Sequence, residues 1–198
     1  MDQLRWLQPT PLVGETVSLL PLQASHSAAL VSAAADGDLD KLWYTSVPNQ
    51  ERIQSYIDTA LHQQQLGLAL PFVVVDNASQ QVIGSTRYCN AEPHNQRLEI
   101  GYTWYAKSFQ RSAVNTECKL LLLEHAFERL SSIAVEFRTH WHNQRSRQAI
   151  ARLGAKQDGV LRNHSCSADG VYRDTVVFSI INHEWPVVKR SLQFKLEV

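Results

Sequence analysis

The stretch from Arg97 to Gly154 constrains the chain most. Arg97 to Tyr105 reads as a long strand, and about Ser112 to Leu130 as a helix. Ile133 to Trp141 is a second strand and Arg145 to Leu153 a short helix, with Gly154 as its stop. On the longer helix, Glu117, Glu124 and Glu128 form one narrow polar stripe. Val114, Cys118, Leu121 and Leu122, with Leu120, Leu123, Phe127 and Leu130, cover most of the rest. A helix apolar on so many sides is a central element, packed on more than one face.

The flanking sequence extends the same pattern. Thr16 to Gln23 reads as a first strand, and Ser25 as the cap of an alanine-rich helix ending near Ala35. Asn49 opens a second helix through about Gln65. Phe72 to Asp76 is a continuous apolar strand of the kind buried on both faces. Gln81 to Asn90 returns from the Asn77-Ala78-Ser79 turn to form a hairpin with it. Two strands, about Lys156 to His164 and Tyr172 to Ile181, follow the short helix, and His183 to Leu192 reads as a terminal helix. The order β-α-α-β-β-β-α-β-α-β-β predicts a mixed α/β (α+β) domain. Its centre is a mostly antiparallel, twisted sheet of about seven strands with helices on both faces. No repeat, low-complexity tract or linker divides the chain, so residues 1–198 read as one domain.

Composition narrows the function classes. Nineteen basic and nineteen acidic side chains cancel to zero formal charge, which argues against a dedicated nucleic-acid binder. No polybasic patch suggests a membrane surface, and apolar runs such as Leu68 to Val75 are too short to span a bilayer. The start, Met1-Asp2-Gln3-Leu4-Arg5, lacks an apolar signal region. Cys89, Cys118 and Cys166 are isolated, an odd count without metal or redox spacing, which suggests reduced thiols in a cytoplasmic protein. Each is expected to be a small buried hydrophobe.

The sharpest chemical feature is the loop Lys107-Ser108-Phe109-Gln110-Arg111-Ser112-Ala113-Val114-Asn115 ahead of the long helix. Unpaired amides and the dipole at a helix N-terminus favour an anion. Ser112 and Ala113 are small enough to let phosphate oxygens approach the backbone, and Arg111 adds a charged donor. The alternative is an ordinary strand–loop–helix connection without a ligand.

In these residues the chain resembles the GNAT acetyltransferases, particularly the RimJ/RimL-like branch that acetylates protein N-termini. The family pattern at the loop is Arg/Gln-x-x-Gly-x-Gly/Ala, then often Thr-Glu-Ala; here it is Gln110-Arg111-Ser112-Ala113-Val114-Asn115, then Thr116-Glu117-Cys118. Ala113 and Asn115 depart from the small-residue positions. Ala113 keeps close approach open only with a negative φ. Leu98-Glu99-Ile100-Gly101-Tyr102-Thr103-Trp104 is similar to the family's preceding strand. Asn143-Gln144-Arg145-Ser146, followed by Leu153-Gly154, is similar to its later Asn-x-x-Ser segment. The resemblance covers about residues 10 to 185.

It implies a GNAT fold and attack of an amine on the thioester of acetyl-CoA, with no metal. Cofactor contacts are implied at Gln110, Arg111, Ser112, Ala113, Val114 and Asn115 for the pyrophosphate. Asn143 and backbone groups of Thr103, Trp104 and Tyr105 are implied for pantetheine. Glu99, a carboxylate in a strand expected to be covered on both faces, is the candidate base, directly or through a water. Its alternative is a solvent-facing or salt-bridged glutamate, with Arg97 as the suggested partner. Ser146 shares a helix face with Ile150 and Leu153 and is the candidate acid. Many members place a tyrosine four residues on, where this chain has Ile150.

His140 and His142 share a face of a strand end but lack a third ligand at zinc spacing. His125 reads as structural. Trp43-Tyr44 reads either as the lining of an acceptor cleft or as core or rim packing. The acceptor site is expected from the N-terminal helices and the loop near Asn163 to Gly170. The acceptor is a protein or peptide N-terminus or a small amine. A homodimer is plausible by resemblance. The alternative from a different class is a non-catalytic acyl-CoA-binding module of the same fold, suggested by Ala113, Asn115 and Ile150.

Overall fold

A computed structural model describes residues 6–167 and 170–197. Met1 to Arg5, where a signal segment was sought, lie outside the described residues. So do Ala168 and Asp169 of the loop expected to help form the acceptor site.

The strands are β1 (Leu12–Val13), β2 (Val17–Pro21), β3 (Leu70–Asp76), β4 (Val82–Glu92), β5 (Arg97–Tyr105), β6 (Ala134–His140), β7 (Lys156–Cys166) and β8 (Tyr172–Ile181). They form one eight-stranded sheet in the order β1-β2-β3-β4-β5-β6-β8-β7. Seven are the strands read from the sequence; the eighth, β1, is a two-residue edge strand. Every neighbouring pair is antiparallel except β5 with β6.

The helices are α1 (Ser27–Ala35), α2 (Ile53–Gln65), α3 (Val114–Glu124), α4 (Gln144–Arg152) and α5 (Trp185–Glu197). Strand alternation sends them to two faces. Phe72 and Val74 of β3 pack with Cys118, Leu122 and Ile150 in one core; Val73 and Val75 pack with Leu30, Ile57 and Ala60 in the other. So α3, α4 and α5 cover one face and α1 and α2 the opposite one. All seven residues of β3 are buried, as its unbroken apolar run requires.

Local contacts correct several expectations. Ser25 does not cap α1: it lies in a 3₁₀ turn (Ala24–His26), and its hydroxyl donates to Gln23 Oε1 instead. Asn49 opens α2 as predicted, accepting from Arg52 N, though the helix proper begins at Ile53. α3 starts at Val114 and its continuation, His125–Arg129, is π-helical. Glu117 is not part of a wet stripe. It is buried, and its carboxylate accepts from the amides of Glu15, Thr16 and Val17 at 2.7, 2.9 and 3.0 Å, anchoring the chain before β2. Glu124 and Glu128 do face outward and both pair with Lys189 of α5. Cys89 and Cys118 are buried, but Cys166 is exposed, on the edge strand β7.

Candidate active site

The site begins where the parallel pair comes apart. β5 and β6 pair only through Arg97, Leu98 and Glu99 against Ala134, Val135 and Glu136. Beyond Glu99 no described strand borders β5 on that side, while β4 still borders it on the other. The register of β4 with β5 shifts between Ser85 and Arg87, and Tyr102 there takes a left-handed φ of 52°. This β-bulge bends the strand away from its neighbour. α3 follows the open end of β5 and α4 the open end of β6. Two helix N-termini therefore flank a gap at the carboxyl ends of parallel strands, the place where open α/β sheets bind ligands.

Glu99 sits at the root of the gap. Leu98 and Ile100 belong to the core under α3, so Glu99 projects from the opposite face. It is 7% exposed. Burial pushes its carboxyl above the usual range; a hydrogen bond from Asn90 Nδ2 (2.7 Å) and the Arg138 guanidinium (3.5 Å) pull it back, and Glu136 adds a small upward push. The suggested Arg97 partner is not used: Arg97 pairs with Glu136.

Ser146 approaches from the other face. Asn143 caps α4, its Oδ1 accepting from Ser146 N at 3.1 Å. Ile150 and Leu153 bury themselves in the core under α3, and Ser146, on the same face, is half-buried. The gap thus lies between a carboxylate on one side of the sheet and a hydroxyl on the other.

The loop before α3 places the residues expected at the pyrophosphate at the start of the helix. Arg111, Ser112 and Ala113 are exposed at the helix start. Ala113 has φ −63°, so its methyl group does not bar the approach to the amides. Arg111 itself is left-handed, φ 62°. Gln110 Nε2 donates to Tyr105 O (2.8 Å) and Ser112 Oγ donates to Phe109 O (2.6 Å), bonds that shape the loop. Asn115 Oδ1 accepts from the Tyr105 hydroxyl at 3.2 Å, so this departure from a small residue ties α3 to β5. Val114 and Trp104 turn their side chains into the two cores and offer only backbone groups. Thr103 Oγ1 meets Thr86 and accepts from Lys119 Nζ at 2.7 Å. Burial lowers the Lys119 ammonium to about 8.

The histidines serve packing. His140 Nδ1 accepts from His142 N, and among the described residues no group of three or more metal-ligating side chains converges. His125 stacks on Tyr88, in line with a structural role. Trp43 is not core: its ring lies 5.0 Å from His140 and 6.0 Å from His142 at the end of β6.

Sequence reasoning missed Arg87. It is 2% exposed in β4, and its guanidinium lies 4.1 Å from the Tyr102 ring and 5.1 Å from the Tyr56 ring. A charged residue inside a strand read as buried was the available signal, the same one that marked Glu99.

The lone parallel pair of the mixed sheet thus parts beside the exposed start of α3. The sequence profile of the acetyltransferase (GNAT) domain matches residues 16–156, and the chain belongs to that family. It is similar to "Putative ribosomal N-acetyltransferase YdaF" of Bacillus subtilis, 31% identical over 96 residues, which span 48% of this chain and 51% of that protein. A GCN5-related N-acetyltransferase from Brucella melitensis superposes with TM-score 0.87 at 28% identity, covering 96% of this chain and 86% of the other. RimJ of Mycobacterium smegmatis, solved with CoA-disulfide, gives TM-score 0.79 at 21% identity over 94% and 95% of the chains, a likeness of fold. No helix among the described residues is long and apolar enough to cross a membrane.

Proposed function

We propose that this chain is an acetyl-CoA-dependent N-acetyltransferase, a single GNAT domain over residues 1–198 that transfers acetyl to a primary amine of a protein or peptide N-terminus or a small molecule. The observation that carries the reading is the gap between β5 and β6 with Glu99 buried at its root. The relative named a ribosomal N-acetyltransferase favours a protein or peptide acceptor, and the setting proposed for the reaction is the cytoplasm. Nucleic acid, membrane and metal have no part in the scheme, and a homodimer is compatible with it.

The pyrophosphate rests on the amides of Ser112, Ala113, Val114 and Asn115, with Arg111 and Gln110 at the loop. Pantetheine runs along the unpaired edge of Thr103, Trp104 and Tyr105 towards Asn143. The amine nitrogen attacks the thioester carbonyl, and its excess proton passes to Glu99 directly or through a water. The carbon–sulfur bond breaks, and Ser146 donates a hydrogen bond to the leaving sulfur or, as the acid, passes it a proton that the hydroxyl regains from water. Holding both reactants in this geometry supplies much of the acceleration. The raised proton affinity of Glu99 suits a base working near neutrality.

A non-catalytic acyl-CoA-binding module is the second reading. Ile150 offers no phenol to the sulfur, and Glu99 already has partners in Asn90 and Arg138. Free-thiol release from acetyl-CoA, followed across a panel of peptides and small amines, separates the two. Amine-dependent release lost in Glu99→Gln supports transfer. Tight CoA binding with no release for any amine establishes the module. Absence of CoA binding by calorimetry refutes both.

A further inference from the structure

On the Glu99 face of the sheet lies a cavity of about 240 Å³ between the start of α2 and strands β4 and β5. Its lining includes Arg52, Arg87, Tyr56 and Tyr102, with the hydroxyls of Ser46, Ser55 and Thr59 around them; it contains two cations and no carboxylate. Arg87 is the informative member. Its Nη1 donates to Gln63 Oε1 at 3.4 Å, while buried Nε and Nη2 have no hydrogen-bond acceptor in the protein. A buried donor left without an acceptor is destabilising unless a ligand supplies one. Nε and Nη2 are adjacent donors along one edge of the guanidinium, the pair that grips a planar carboxylate in bidentate fashion.

The walls fit that reading. Tyr102, which lines the cavity, lies over the guanidinium and is 43% exposed. It takes its left-handed φ at the bulge, a conformation costly for a bulky residue and met mostly at functional positions. Arg87 and Tyr102 both line the cavity, so the guanidinium borders the space that a carboxylate would take. The distance to the chemistry is short. Arg87 pairs with Gly101 and Cys89 with Glu99, so Arg87 and Glu99 are diagonal neighbours on one face, about 7–8 Å apart at the backbone.

We propose that the acetyl acceptor is an amine that carries a carboxylate within a few bonds, held by Arg87 with help from Arg52, while its amino group faces Glu99. The proposal rests on the acetyl-transfer reading above and narrows its substrate class. The carboxylate comes either from the side chain of an N-terminal Asp or Glu of a peptide or from the α-carboxylate of a free amino acid.

The test compares kcat/KM for peptides beginning Asp or Glu with those beginning Asn or Gln, and for free amino acids with their amides. The expected result is a preference of at least about tenfold for the carboxylate form in one of the two pairs, which identifies its source. Arg87→Gln should abolish that preference, Arg87→Lys should retain part of it, and exposed Arg52→Gln should weaken it if Arg87→Gln fails to fold. Calorimetry with glutarate gives a readout independent of turnover: binding to the wild type, lost in Arg87→Gln, supports the site. Turnover with equal use of carboxylate and amide acceptors overturns the inference and leaves acetyl transfer standing. Glutarate binding without turnover of any amine upholds the anion site and refutes transfer. An Arg87 variant that slows all acceptors alike shows a purely structural arginine and overturns the proposal.

Discussion

Three buried charges on neighbouring elements have different partners, and their partners separate their roles. Glu99 faces the gap with a raised proton affinity set chiefly by burial. The rate of acetyl transfer should therefore rise with pH through an apparent value above that of an ordinary glutamate. Glu99→Gln should remove this limb and lower kcat by about 10²-fold or more, with CoA affinity kept. Ser146→Ala should lower kcat more than CoA affinity; a pure affinity loss would demote the serine to a contact. Glu117, with three backbone donors, should behave as a structural group. Glu117→Ala should cost about 3 kcal/mol of stability without a selective effect on turnover, measured by urea denaturation. Lys119 has the opposite sign from a paired cation. Its value of about 8 in the fold lies below the ordinary 10.5, so the unfolded chain binds more protons between them. Stability should rise with pH across that window, and Lys119→Met should flatten the rise and raise the thermal midpoint at pH 7.

At the scale of elements, close backbone approach decides what is tolerated. A Cβ on Gly84 would stand 2.2 Å from Trp104 O and 3.0 Å from Tyr105 Cα. Gly84→Ala should push β4 from β5 at the far end of the bulge, weaken CoA binding and lower the thermal midpoint together. Arg111 occupies a left-handed position that costs a non-glycine residue about 1–2 kcal/mol. Arg111→Gly should relieve that strain yet weaken CoA binding, because the charged donor is lost; stability and affinity moving in opposite directions is the outcome to look for. Much of this region was legible in the strand and loop patterns: β5 has the predicted bounds and Asn143 caps α4. The short first turn at Ala24–His26 was not, because a serine near a helix start is a cap only if its hydroxyl reaches the right amide.

For the whole molecule, ligand binding should be felt globally, since the gap is bounded by elements from both cores. CoA at a hundredfold excess over its Kd should stabilise the protein by about 2.7 kcal/mol, read as an upward shift of the thermal midpoint. The Glu117 variant should show the same increment as the wild type, because its contacts lie at the start of β2 and outside the gap. The sequence by itself determined the order of elements, the unbroken burial of β3, the small-residue loop ahead of α3 and the presence of a costly carboxylate in β5. These follow from periodicity, local turn chemistry and the energetic oddity of a charge in an apolar strand, all properties of neighbouring residues. Only the tertiary structure decided that β5 and β6 part after Glu99, that Glu99 and Ser146 meet the gap from opposite faces, and that Arg87 keeps two donors free beneath Tyr102. Each of these depends on register and bulge geometry between strands or on packing between elements far apart in the chain, which no local pattern encodes.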